Sequence, residues 1–291
     1  MLPRLKPDPV PPVRPVPEYL DDPDLRARYE DMKTVFQVPW MGVVTMAFAH
    51  YRNFYDCLWT GLRPLCISAP FVDGCRGLRA FVEAEVEAGA PPPIAARLAE
   101  AGYAPREIGQ IGETVEVFSH GNFPYLTLAT MARLLLEGDG IGAAEGPVPA
   151  FVGRHAPDVS VPFILMERHH ADGPTRAVYD DVMATLGLPF VNTDYRAFAR
   201  WPSYWALGWG DLKPFVTGPG YADLCSRIHD KVMEIAAALP NPGGLTGEAL
   251  REAAAKDGPV EEVLAVCRLF QWLLPGLVAN VAFLRAQLRA G

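Results

Sequence analysis

Cysteine is scarce in this chain, and its spacing does not suggest pairing. Cys57, Cys66, Cys75, Cys225 and Cys267 contain no CxxC and are odd in number. That excludes a disulfide framework using them all and a zinc ribbon, and it predicts reduced, buried thiols. Basic residues are also in deficit: 26 Lys and Arg against 34 Asp and Glu give a net charge of −8. This argues against a broad nucleic-acid surface, and a small anion would be caught by local groups instead of the whole-protein field. No apolar leader is expected. The chain starts MLPRLKPDPVPPVRPVPEY, so residues 1–22 are expected to form an extended proline-rich tail without a signal peptide, and the protein to be cytoplasmic. The most apolar stretch, Leu269–Leu284, is interrupted by Gln271, Pro275 and Asn280. It predicts a buried helix in preference to a membrane span.

Two possible ligand motifs are also weak. Glu167-Arg168-His169-His170 lacks HExxH spacing and reads as a solvated cluster, so no metal is expected. Gly138-Asp139-Gly140-Ile141-Gly142 follows a helical pattern in place of a strand, so it reads as a turn and not a phosphate loop.

What the chain does have is an internal echo. Residues 48–65 read FAHYRNFYDCLWTGLRPL and residues 198–215 read FARWPSYWALGWGDLKPF, at an offset of 198 − 48 = 150. Phe48/Phe198, Trp59/Trp209, Leu62/Leu212 and Pro64/Pro214 are identical, and the register continues to Cys75/Cys225. Shared residues report packing, and differences are where function enters. The sharpest difference is Asp194, which matches Val44.

No segment alternates apolar and polar residues between hairpin turns, so the chain is read as all-α, two pseudo-symmetric helical repeats joined by a long linker. The divisions are a tail at 1–22, a first repeat at 23–137, a linker at 138–176 with room for one short helix, and a second repeat at 177–291. Helices are predicted over Pro23–Thr34, Met41–Leu62, Gly77–Ala88, Ile94–Ala101, Gly109–Ser119 and Tyr125–Glu137. The second half adds Asp194–Leu212, Tyr221–Leu239, Gly247–Lys256 and Pro259–Arg289. Tyr179-Asp180-Asp181 reads as a solvated helix start.

Two segments carry candidate chemistry. In Asn192-Thr193-Asp194-Tyr195-Arg196 the first residues suit a helix N-cap, with Thr193 capping. Asp194 can be a general base beside aromatic groups that limit its hydration. In His120-Gly121-Asn122-Phe123-Pro124-Tyr125, Asn122 reads either as an N-cap before a helix with Pro124 in its first turn, or as an amide that orients a water. Pro39-Trp40-Met41-Gly42-Val43 occupies the matching place in the first half. A pocket between the two helix starts suits a small carboxylate.

The Pro-Trp turn, the Asn-x-x-Tyr segment at 122–125, Asn-Thr-Asp-Tyr-Arg at 192–196 and the following Arg-Trp-Pro together resemble group I, DehI-type 2-haloacid dehalogenases, which process both D- and L-isomers. The resemblance implies cofactor-free hydrolysis of short 2-haloalkanoic acids to 2-hydroxy acids with inversion, by a homodimer. It implies that Asp194 activates water and Asn122 helps hold it. Trp40, Gly42, Val43, Tyr125, Asn192 and Thr193 match pocket positions, and amides near Val43 and Thr193 match carboxylate-binding ones. Phe270, Leu273, Leu274 and Leu277 match an apolar wall. The chain departs from the family at Phe270, where members have tyrosine nearby, and at Val43, where they have phenylalanine. Direct attack by Asp194 to give an ester also ends in inversion, so both routes remain open. Two other functions fit the same residues: a non-catalytic carboxylate binder, and a relative hydrolysing a different small acid. No nucleic-acid or membrane partner is expected.

Overall fold

A computed structural model describes residues 2–138, 140–142 and 148–290. Among the described residues there are twelve α-helices and no strand beyond an isolated bridge between Ser68 and Ala150. The fold is all-α, as the periodicity predicts. In chain order the helices are α1 Pro23–Phe36, α2 Val43–Phe48, α3 Arg52–Cys66, α4 Ala69–Glu87, α5 Ala95–Glu100 and α6 Pro105–Glu137. They continue with α7 Gly173–Leu186, α8 Thr193–Phe198, α9 Pro202–Val216, α10 Tyr221–Ala238, α11 Gly247–Ala255 and α12 Val260–Arg289.

Several boundaries correct the sequence reading. The predicted helix Met41–Leu62 is two helices, because Ala49 ends α2 and Tyr51, with φ −98° and ψ 82°, is non-helical before α3. The prediction Asp194–Leu212 breaks in the same way at Trp201. The missed signal was Pro202. It stands in the first turn of α9, where a missing N–H costs nothing and the ring presets φ. Conversely, the helices predicted over Gly109–Ser119 and Tyr125–Glu137 are one helix, α6, with Pro124 inside it. An interior proline costs about 3 kcal/mol, but α6 is buried continuously from Gly121 to Leu136, so packing outweighs that loss. Asn122 is therefore mid-helix, and its N-cap reading is wrong. A further helix, α7, starts inside the expected linker, with Asp172 accepting from the Thr175 amide at 2.8 Å as its N-cap. It places Tyr179, Asp180 and Asp181 mid-helix, not at a helix start.

The 150-residue displacement recurs in geometry. Adding 150 to the bounds of α1, α2 and α3 gives those of α7, α8 and α9. Trp59 Nε1 donates to Asp31 at 2.8 Å, and Trp209 Nε1 to Asp181 at 2.7 Å. The Tyr29 hydroxyl donates to the Val16 carbonyl at 2.9 Å, and that of Tyr179 to Met166 at 2.7 Å.

By packing, the chain forms two compact units. The first comprises Met1–Arg79, Gly121–Ala156 and Ser226–Pro275, and the second Ala80–His120, Pro157–Cys225 and Gly276–Gly291. Contact and the 150-residue displacement thus divide the chain differently. In the first unit the proline tail is tied down. Val16 N–H donates to the Met46 carbonyl at 3.0 Å, and Arg4 Nε to the Trp272 carbonyl at 3.1 Å.

Leu269–Leu284 lies within α12, the one helix among those described that is long and apolar enough to cross a membrane; 72% of that apolar window is buried inside the protein, as a core helix would be. The five cysteines are unpaired thiols, all buried except the half-buried Cys57. Gly138 and Gly140 have φ of 90° and 72°, as a turn requires, while Asp139 between them lies outside the described residues.

Candidate active site

In the first unit, the turn before α2 is held from three directions. Glu18 Oε1 accepts from the Met41 amide at 2.9 Å. The Tyr125 hydroxyl donates to the Trp40 carbonyl at 2.6 Å. The Thr45 hydroxyl donates to the Gly42 carbonyl at 2.9 Å. Trp40 and Tyr125 are buried, with ring centroids 5.9 Å apart. Gly42 lets the ring approach closely, since a Cβ there would lie 3.0 Å from the Tyr125 ring. The structure therefore brings Trp40, Gly42 and Tyr125 together, with Val43 beginning α2. Burial pushes the Tyr125 phenol far above its ordinary range, so it remains a donor.

Asn122 lies one turn before Tyr125 on α6 and is 4% exposed. Gly121 beside it gives room for the edge of Trp40 and for Val38. On α12, Phe270 is buried edge-to-face against Phe48, with centroids 6.2 Å apart, and Leu273 and Leu274 follow it, also buried.

In the second unit, α8 begins at Thr193, and its N-cap is Asn192, whose side chain makes no capping bond. This corrects the expectation that Thr193 caps. The Thr193 hydroxyl instead accepts from Arg196 Nη2 at 3.2 Å, while Arg196 Nη1 is paired with Glu167 at 2.6 Å. Asp194 is in the first turn and only 2% exposed. A helix start favours negative charge, and its first amides lack intrahelical acceptors. Tyr195 stacks on Trp205 with centroids 5.1 Å apart, and its hydroxyl accepts from Asn280 Nδ2 at 2.9 Å. Leu277 is buried on the same helix as Asn280.

The sequence reading missed two supports. Arg196 lies inside the quoted motif, yet its contact with Thr193 depends on helical i,i+3 spacing that becomes visible once α8 is known to start at Thr193. In the sequence Asn280 reads only as a polar break in an apolar run. Arg168, His169 and His170 are exposed, as a solvated cluster requires, and Glu167 and Arg168 pair with Arg196 and Asp180 at the surface. Among the described residues no cluster of His, Cys, Asp and Glu could hold a metal.

No protein-family model matches this chain. Individual proteins do. It is 46% identical over 249 residues to an (R)-2-haloacid dehalogenase of Rhizobium sp. (strain NHG3), covering 85% of this chain and 96% of that protein. It is 21% identical over 226 residues to a configuration-inverting 2-haloacid dehalogenase of Alcaligenes xylosoxydans xylosoxydans, covering 76% of each. Its fold is similar to that of a solved complex of D-2-haloacid dehalogenase with L-LA, with a TM-score of 0.85, 36% identity and coverage of 96% and 97% of the two chains. The chain belongs to the 2-haloacid dehalogenase family.

Proposed function

We propose that this protein is a hydrolase of the carbon–halogen bond in short 2-haloalkanoic acids, giving 2-hydroxy acids with inversion, and that the (R), or D, isomer is its substrate. The observation that carries the reading is its 46% identity along nearly the whole length of an (R)-2-haloacid dehalogenase. The group I resemblance implies the wider D and L scope, whereas the names of the more similar relatives favour the (R) isomer.

In this reading Asp194 takes a proton from water, and the water oxygen displaces halide from the α-carbon. The burial of Asp194 supports the role, because a hydrogen bond between a carboxylate and a bound water is stronger where bulk solvent is excluded. A positioned base contributes about 10²–10⁴-fold. Asn122 is assigned to holding that water: a mid-helix amide can donate and accept at once. The amides near Val43 and Thr193 are assigned to the substrate carboxylate. Trp40, Gly42, Tyr125, Asn192, Phe270, Leu273, Leu274 and Leu277 are assigned to the pocket walls. No step draws on a metal or organic cofactor, because halide is a good leaving group and takes the bonding electron pair.

The test is halide release from (R)- and (S)-2-chloropropionate with chiral analysis of the lactate. Chloride and (S)-lactate from the (R) isomer support the reading, and release from both isomers restores the wider scope. Binding of the acids without release would make the protein a carboxylate binder. A single turnover in ¹⁸O-water separates the routes: label in the lactate supports water attack, whereas label appearing first in Asp194 supports an ester. The same resemblance suggests a homodimer, so sedimentation is expected to show twice the 31.8 kDa chain mass.

A further inference from the structure

Asn192 is 4% exposed, and its Oδ1 is fully buried with no hydrogen-bond partner. A buried acceptor left unpaired is costly, so such an atom points to a donor that arrives with a ligand. It stands two residues before Asp194, directly ahead of the first turn of α8, where the 150-residue match is Gly42. An ionised 2-haloacid has only acceptors: two carboxylate oxygens and a halogen. Neither it nor the departing halide can donate to a carbonyl oxygen. The reacting species that can are the water and the hydroxyl it becomes.

We infer that Asn192 Oδ1 accepts a hydrogen bond from the oxygen that enters the product, first as water and then as the 2-hydroxyl group. This rests on Asp194 being the base. One water O–H bond breaks and its proton passes to the Asp194 carboxylate. The freed lone pair forms the O–Cα bond, the C–halogen bond breaks, and halide leaves with the bonding pair. The second hydrogen stays on the oxygen throughout. Held by Asn192, it fixes the water's rotation so that its lone pair faces the α-carbon.

The test compares (S)-lactate with propionate, which differ at this hydroxyl, as competitive inhibitors of wild type, Asn192→Leu and Asn192→Ser. The wild type is expected to bind (S)-lactate more tightly. Asn192→Leu, similar in size without an acceptor, is expected to shrink that preference by about 3–10-fold and to lower kcat, leaving propionate binding within about twofold. Asn192→Ser, which keeps an acceptor oxygen, should recover part of the preference. Equal weakening of both ligands in the folded Leu variant would overturn the inference, because it would mean that the amide is rotated and its Nδ2 binds the carboxylate. An unchanged preference would overturn it as well. Asp194→Asn is run alongside. If that variant still releases halide, the base assignment fails; if it is inactive while the lactate preference ignores Asn192, only the present inference fails.

Discussion

The Tyr125 hydroxyl donates to the Trp40 carbonyl at 2.6 Å, and its ring would stand only 3.0 Å from a Cβ at Gly42. One residue of α6 thus fixes both the carbonyl and the approach of the turn that leads into α2. Tyr125→Phe leaves a buried carbonyl short of its donor, which costs about 1–3 kcal/mol. The expected outcome in urea unfolding is a loss of stability in that range, together with a higher KM for 2-chloropropionate. Unchanged KM and stability would remove the turn from the account of the site.

Gly121 is required for packing, not for its backbone angle. A Cβ there would lie 2.7 Å from Val38 Cγ1 and still closer to the outer edge of the Trp40 ring. Gly121→Ala must push Trp40 aside. Overpacking of this kind costs about 1–3 kcal/mol, so a lower melting temperature and altered tryptophan emission are expected. A variant with wild-type emission and KM would show that the ring has room to yield.

The Asp31–Trp59–Arg63 cluster has a defined pH signature. Arg63 and the Trp59 indole hold the Asp31 carboxyl below its ordinary value of 3.8. A carboxyl depressed in the folded state stabilises the fold above its unfolded value, and that stability disappears as pH falls through the depressed one. Asp31→Asn should therefore cost about 1 kcal/mol at pH 7. It should also flatten the wild type's loss of stability below about pH 4. Asp181, held down by Lys213 and Trp209, predicts the same direction for Asp181→Asn. Parallel wild-type and mutant pH curves would contradict the assignment.

His229 is fully buried and its Nε2 has no partner, and burial lowers its affinity for a proton below the ordinary 6.5. Its stabilising effect is present above pH 6.5 and is lost as pH falls toward the lowered folded-state value, because unfolding then takes up a proton. Unfolding free energy is expected to fall as pH drops below the ordinary 6.5, and less steeply in His229→Gln. An NMR titration that places His229 at or above 6.5 would contradict this.

Much of this architecture is legible in the amino-acid order, for physical reasons. Helical periodicity shows all-α packing because a buried face must recur every turn. The match of Asp194 to Val44 stands out because an acid replaces a core valine within otherwise shared packing. Helix boundaries were less legible. Pro202 sits in a continuous apolar pattern although it starts a helix, whereas Pro124 has the sequence context of a helix start although burial carries α6 through it. Periodicity alone does not weigh a proline against tertiary packing. The unpaired Asn192 oxygen and the Arg196–Thr193 bond were invisible, because each depends on where a side chain finds or lacks a partner.

The central claim is tested most directly by chloride and lactate from (R)-2-chloropropionate, measured with wild type and with Asp194→Asn. The account predicts equal amounts of chloride and (S)-lactate from the wild type, and a rate at least about 10²-fold lower in the folded variant. Lactate of retained configuration, a wild type that releases no chloride, or a variant that keeps the wild-type rate would contradict it.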